Sequence, residues 1–449
     1  MNTIVSWVGI FENLIGFQPI DKTKKYRLLK FCFFERADEN TLLLYNNLTK
    51  EMLSLNNDEA SLFNNSEFYC DSPIIEELIK KWFLVPEDHN DLKLCDTVTF
   101  FAKQANTNRS ITSYNIFTTT TCNARCYYCF EAGTRTSTMS TETAIATAEY
   151  IIKHCDNKKV SIQWFGGEPL CNMQAIDIIC QKLRDSNIEY TSTIISNGYL
   201  FDGNVTQKAK NDWNLTLAQI TIDGMQETYN RVKNYVHNNP NPFARVISNI
   251  RLLLEQGINV DVRMNMDLYN ELELYKLTDY LKDHFSAYKN FVVHANLIYE
   301  DVGFTPTKRT DEEREYIFDK YFDLYKHFNE TKLARKPVLS NRVLVNRCMA
   351  DSYNATQISP DGNLGNCEHY PDKFFYGTVF ENTPRQIWTD YVDKIDECYD
   401  CPIYPTCFIL KRCNTNHCTQ FRRRKHSIEI KEAMVNTYFK KINKDGSVG

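Results

Sequence analysis

No stretch of this chain is long and apolar enough to cross a bilayer, and its start carries no export signal. The opening residues 4–17 are apolar in places, but Glu12 interrupts them. They also lack a basic leader and a small-residue cleavage site, so a docked helix or strand is expected there. An excess of basic charge is missing too: 52 Lys and Arg stand against 57 Asp and Glu, a formal net charge of −5. That balance excludes a nucleic-acid binder working through a broad positive field. The expectation is a soluble, cytoplasmic protein with neither nucleic acid nor membrane as a partner. Its 16 cysteines are then no disulfide framework, because such frameworks belong to small secreted domains. At 449 residues the chain exceeds what one core holds, and two or three domains are expected.

The distribution of the cysteines says more than their number. Cys32, Cys70, Cys95, Cys155, Cys171 and Cys180 are scattered without metal spacing and read as small buried hydrophobes. Cys122, Cys126 and Cys129 stand at C-x3-C-x2-C spacing just after the run Ile116-Phe117-Thr118-Thr119-Thr120. Three thiolates on one loop leaving a strand can hold three corners of a 4Fe–4S cube, and the fourth iron is left open to a small molecule. Zinc is the alternative, but it takes four ligands, often as two C-x2-C halves, which this spacing fits poorly.

The loop, with Tyr128 directly before its last cysteine, resembles the signature of the radical S-adenosylmethionine (SAM) enzymes. The resemblance implies that the open iron chelates SAM, which one electron splits into methionine and a 5′-deoxyadenosyl radical. It also implies an α/β fold, a partial (β/α)6 TIM-like barrel, spanning 106–300. Strands are expected at 114–120, 160–165, 191–195, 218–222, 259–265 and 291–297, with helices between them such as 140–154 and 244–256. In barrels, chemistry collects at the C-terminal ends of the strands. After the second expected strand comes Gly166-Gly167-Glu168-Pro169, matching the family motif that contacts the amino group of SAM. After the third, Ser196-Asn197-Gly198 resembles the ribose-contacting turn. After the fourth, Asp223-Gly224 resembles a pair in peptide-modifying members, which implies that Asp223 faces substrate or SAM as a catalytic residue. On the fifth, Arg263 suits the SAM carboxylate as a bidentate donor; a structural salt bridge is the competing role.

Residues 1–105 read as a small α+β domain. A strand is expected at 26–35, a hairpin at 41–55, and a helix opening at Ser72-Pro73. On that helix Glu76/Lys80 and Glu77/Lys81 form i,i+4 pairs, and Ile74, Leu78 and Trp82 point inward. Its position and pattern resemble the winged-helix-like leader-recognition domain of ribosomal-peptide maturases, whose strand edge takes an extended peptide. A charged connector follows the barrel at 301–347, with a helix around 311–328.

Seven cysteines then crowd into 348–418. Cys348 and Cys367 bracket the turn Pro360-Asp361-Gly362, followed by Cys398-x2-Cys401-x5-Cys407-x5-Cys413-x4-Cys418. They resemble the SPASM extension of radical SAM enzymes, expected over 348–449, although the gap between Cys407 and Cys413 is longer than the family's. The family scheme implies one auxiliary cluster on Cys398, Cys401, Cys407 and Cys418, and another on Cys348, Cys367 and Cys413. Fully ligated members carry a further cysteine shortly before the first; Arg342 stands there in this chain. The basic run Arg422-Arg423-Arg424 reads as a solvated helix end, and 442–449 as frayed.

Together these resemblances imply a radical SAM oxidoreductase that matures a ribosomally made precursor peptide carrying a leader, forming a thioether or another side-chain crosslink. Its cofactors are SAM and three 4Fe–4S clusters, and its electron donor is ferredoxin- or flavodoxin-like. An anaerobic sulfatase-maturase-type enzyme making formylglycine and a non-catalytic peptide-binding member are the alternatives.

Overall fold

The computed structural model describes residues 1–6, 16–105, 110–156, 158–236, 241–298, 309–340, 348–407, 411–413 and 418–445. Arg342, most of the opening apolar stretch, part of the 301–347 connector and the last four residues lie outside the described residues. The chain divides into two compact units. One contains 108–335 and 348–389; the other is assembled from 1–107, 336–347 and 390–449. Among the described residues no helix is long and apolar enough to cross a membrane.

The first of these units is built on a mixed α/β sheet. Six strands, β1 (Ser113–Thr119), β2 (Lys159–Gly166), β3 (Glu189–Ser196), β4 (Leu215–Thr221), β5 (Asn259–Met266) and β6 (Phe291–Leu297), run parallel in sequence order. The sheet does not close on itself. Beyond β1 it continues into the parallel strand β7 (Ala355–Ile358), then antiparallel β8 (Asn363–Gly365) and β9 (Gly377–Thr378). The expected turn at Pro360-Asp361-Gly362 joins β7 to β8, with Gly362 N donating to Ser359 O at 2.9 Å.

Helices fill the crossovers: α1 (Thr141–His154), α2 (Met173–Asp185), α3 (Gly203–Asn211), α4 (Gln226–Lys233), α5 (Pro242–Glu255), α6 (Glu271–Phe285) and α7 (Asp311–Glu330). Ser140 caps α1 through Thr143 N at 3.0 Å, a bond worth about 1 kcal/mol. Helix α5 begins before the expected 244 because Asn241 caps it and Pro242 takes its first position. Alternation along the strands sets the two faces. Val160, Ile162 and Trp164 are buried on β2, as are Val260, Val262 and Met264 on β5, where Thr278 of α6 reaches the Met264 sulfur. The opposite face carries polar groups, among them Gln163 on β2, Gln219 on β4 and Arg263 on β5.

The other unit holds two small antiparallel sheets. One orders the strands Asn2–Val5, Met52–Leu55, Thr41–Asn46 and Cys32–Asp38; the other orders Phe68–Tyr69, Lys25–Leu28 and Leu84–Pro86. The single strand expected at 26–35 is therefore two strands in different sheets. The break falls at Leu29-Lys30-Phe31, where Leu29 and Phe31 are fully buried and Cys32 N turns back to Leu29 O. Asp91 holds the turn, accepting from Lys30 N at 2.9 Å and from both terminal nitrogens of Arg27 at 2.9 and 3.0 Å.

The helix Pro73–Lys80 is capped by Ser72 and buries Leu78 as expected; Ile75 and Ile79 join it inside, while Ile74 and Trp82 are only half-buried against the cores. Trp82 lies past its end in a left-handed turn (φ 61°). Of the expected pairs on its wet face, Glu77–Lys81 forms at 3.1 Å, whereas Glu76 meets Lys22 instead. The last helix, Gln420–Asp445, lays Met434 against Phe33, Leu43, Tyr45 and Met52 of the four-stranded sheet.

Candidate metal centre

The loop after β1 carries Cys122, Cys126 and Cys129, each half-buried. It is stitched in place from three sides. The last turn of α4 leaves orphan carbonyls, and Lys233 O takes Arg125 N at 2.8 Å, while Asn123 O takes Val236 N at 2.9 Å. On the β3 side Asn197 Nδ2 donates to Asn123 Oδ1 at 2.6 Å. On the β2 side the turn Gly166-Gly167-Glu168-Pro169 runs back under the loop: Gly167 N bonds Thr119 O at 3.1 Å and Glu168 N bonds Thr121 O at 2.9 Å. A side chain on either glycine collides with backbone. A Cβ on Gly166 lies 2.1 Å from Thr119 O, and one on Gly167 lies 2.6 Å from Thr121 O. In this structure the glycines serve a close approach between two backbone segments.

Glu168 is fully buried. Its carboxylate accepts from Ser196 Oγ at 2.9 Å, Asn197 N at 2.8 Å and Leu170 N at 3.2 Å. Burial outweighs those bonds and pushes its carboxyl up to about 7. Burial likewise pushes the Cys122 thiol up to about 12, with Glu168 adding to it, and the Cys129 thiol up to about 11; Cys126 is raised as well. Thiols raised this far become thiolates when a cation supplies the missing charge, so the donor set fits a metal that displaces its protons. Among the described residues no trio of His, Cys, Asp or Glu converges tightly enough for a single ion.

Tyr128 and Asp223 meet beside the loop. Tyr128 Oη donates to Asp223 Oδ2 at 2.6 Å and accepts from Lys233 Nζ at 2.9 Å, and Lys233 pairs with Asp223 at 3.0 Å. Asp223 also accepts from Asn265 N at 3.3 Å. Arg263 donates through Nε to Asn265 Oδ1 at 2.9 Å and makes no ion pair with a described carboxylate. The structure thus gathers Cys122, Cys126, Cys129, Tyr128, Gly166, Gly167, Glu168, Pro169, Ser196, Asn197, Asp223 and Arg263 at the ends of neighbouring parallel strands and the loops that follow them.

Residues 116–281 match the profile of the Radical SAM superfamily. The chain carries a radical SAM domain. The match over these residues implies SAM and an iron–sulfur cluster as cofactors. Two relatives are the radical SAM cyclopropyl synthase TigE of Paramaledivibacter caminithermalis, 22% identical over 288 residues, and the antilisterial bacteriocin subtilosin biosynthesis protein AlbA of Bacillus subtilis, 21% identical over 279 residues. Each alignment covers 60% of this chain, and the chain spans only 57% of each relative's length. The fold is also that of native anSMEcpe solved with bound AdoMet. That likeness has a TM-score of 0.54 at 16% identity, covering 74% of this chain and 98% of the other.

Two features of the radical SAM domain escape the motifs. Lys233 has no spacing signal, since it follows the Asp223-Gly224 pair at the far end of a helix. Cys171, grouped with the buried cysteines in the sequence, is exposed in the turn after Pro169, and its thiol interacts with the Asn123 backbone and with Glu168. Cys32 is also only half-buried, whereas Cys70, Cys95, Cys155 and Cys180 are buried as expected.

The later cysteines fall in both units. Cys348 and Cys367 belong with the sheet, where Arg385 bridges their neighbourhoods, donating to Met349 O at 2.7 Å and Ser352 O at 3.1 Å and also bonding Asn366. In the other unit Cys398, Cys401, Cys407 and Cys418 line a largely apolar cavity of about 340 Å³. Arg422 and Arg423 line it too, and Arg423 Nη1 donates to Cys418 Sγ at 3.0 Å. The solvated-end reading of 422–424 therefore holds for exposed Arg424 and fails for its two half-buried neighbours. Cys413 lies in the same unit.

Proposed function

We propose that this protein is a radical SAM peptide maturase that modifies a ribosomally made precursor, forming a thioether or another side-chain crosslink. The observation that carries the reading is the convergence of Cys122, Cys126 and Cys129 with Glu168, Asn197 and Tyr128 at the strand ends of a radical SAM fold. Named relatives in cyclopropyl synthesis and bacteriocin biosynthesis support a peptide product. So does a solved structure of anSMEcpe with AdoMet and the Cp18Cys peptide, of the same fold at a TM-score of 0.54.

Cys122, Cys126 and Cys129 would hold a 4Fe–4S cluster. When bound, it supplies the single electron that cleaves SAM to methionine and a 5′-deoxyadenosyl radical. The chain's own residues orient and shield the reactants. Glu168 and the Ser196-Asn197 turn shape the SAM amino and ribose sites, Arg263 offers two free guanidinium nitrogens to its carboxylate, and Asp223 orders the Tyr128 wall. The polar inner face, with Gln163 and Gln219, lines the path of the peptide. Cys398, Cys401, Cys407 and Cys418 hold one auxiliary 4Fe–4S cluster. By the family scheme Cys348, Cys367 and Cys413 would serve a second, and with no fourth cysteine in that scheme it would suit thiolate chemistry, which favours the thioether reading. Residues 1–105 form the winged-helix-like leader-binding domain, with 348–449 as the SPASM extension. A ferredoxin- or flavodoxin-like protein of a low-oxygen cytoplasm delivers the electron.

The test is incubation of anaerobically reconstituted protein with SAM, reductant and the short peptide encoded beside its gene. The expected outcome is a peptide lighter by two hydrogens together with 5′-deoxyadenosine. Cleaved SAM beside an unchanged peptide refutes the maturase reading.

A further inference from the structure

A lysine buried against a cluster loop is costly unless something holds it there. Lys233 has a side chain 3% exposed, beside Asp223 at 1%. Replacing such a pair by apolar residues is often neutral or stabilising, so stability alone is a weak account of it. Its geometry is directional. The carboxylate end is tied to β5, where Asp223 Oδ1 takes Asn265 N, and the Asp223 main-chain carbonyl takes Asn270 Nδ2, just before α6, at 2.7 Å. The ammonium end sits among the rings of Tyr128 and Tyr229, 5.6 and 5.9 Å from their centroids. Lys233 grips the cysteine loop twice: its carbonyl binds Arg125 N, and its ammonium binds the Tyr128 hydroxyl. Arg125 and Tyr128, the two residues it grips, flank Cys126 on either side along the loop.

We propose that Lys233 is a positioning residue whose buried ammonium, anchored by Asp223 and Tyr128, fixes the Cys126 corner of the loop and raises the reduction potential of the iron held there. The reduced cluster carries one more negative charge than the oxidised one. A fixed cation beside it, in a site water screens poorly, therefore favours the reduced form. The inference rests on the three cysteines being iron ligands.

Potentiometric EPR titration of the whole reconstituted protein tests it, following the reduced-cluster signal that changes when SAM is added. Lys233→Met at wild-type iron content should titrate at a more negative potential and cleave SAM at least tenfold more slowly with the same reductant. Lys233→Arg should recover most of both. A Lys233→Met protein with full iron and an unmoved potential overturns the inference, as does an arginine variant no better than the methionine one. Should Lys233→Met lose its iron, Asp223→Asn/Lys233→Met leaves no lone buried charge and takes over the test. A lowered potential there supports the inference, and an unmoved one overturns it. Wild-type protein that takes up no iron defeats the cluster reading itself, an outcome distinct from an unmoved potential.

Discussion

The two best-defined groups of thiols in this protein are held in different ways. Cys122, Cys126 and Cys129 ride on one short loop clamped by strand ends and by the last turn of α4, so main-chain hydrogen bonds fix them. Cys398, Cys401, Cys407 and Cys418 line an apolar cavity in a unit assembled from three separate chain segments, with Cys407 and Cys418 exposed and an arginine on the Cys418 sulfur. The first site takes its three thiols from one short stretch of sequence and its clamps from neighbouring strand ends of one sheet. The second needs distant segments to fold together before its walls exist. A lesion at the first should therefore act on chemistry directly, and a lesion at the second on what the protein does with the product of that chemistry.

The largest expected effect separates the two sites. Cys126→Ala should reduce 5′-deoxyadenosine release to background, whereas Cys401→Ala should keep it and remove about four irons per chain. Nucleoside chromatography with iron analysis decides; equal loss of SAM cleavage in both variants breaks the contrast. Next comes the clamp. Gly167→Ala places a methyl against Thr121 O, a backbone atom that cannot swing aside. Displacing the cysteine loop by a fraction of its bond lengths should slow SAM cleavage by on the order of 100-fold.

The smallest effect on turnover belongs to Asp91, which organises the unit holding the second site. Burial alone would raise its carboxyl, but bonds from His89, Arg27 and Lys30 N prevail and hold it down at about 2. Because the folded value lies below the unfolded 3.8, its contribution is complete above the unfolded value and disappears as pH falls through about 2. Asp91→Asn should cost about 2–3 kcal/mol at pH 7, an effect that shrinks in acid, and should spare SAM cleavage. Thermal melts across pH 2–7 measure it.

The sheet-bearing unit was the more legible of the two. Its apolar, β-branched strands alternate with helical stretches, so all six were found to within a few residues, and the helix expected from 140 opens on Ser140 as its cap. The N-terminal segment misled at 26–35 because alternation continues through Leu29-Lys30-Phe31 while the chain turns. Asp91, which captures Lys30 N, lies 61 residues further on. Lys233 was unreadable for the same reason: its partner Tyr128 lies 105 residues earlier and meets it only on folding.

By itself the amino-acid sequence determined the chemistry on offer: the thiol loop, the Gly166–Pro169 turn, and the alternating strands that bring both to one edge of a sheet. These are local, because a turn or a strand depends on neighbours a few residues away. Only the tertiary structure decided which charges the loop lives with. A buried ammonium, its counter-carboxylate and a bridging phenol gain their meaning from the low-dielectric space they share, and that space exists only once the chain has closed around it.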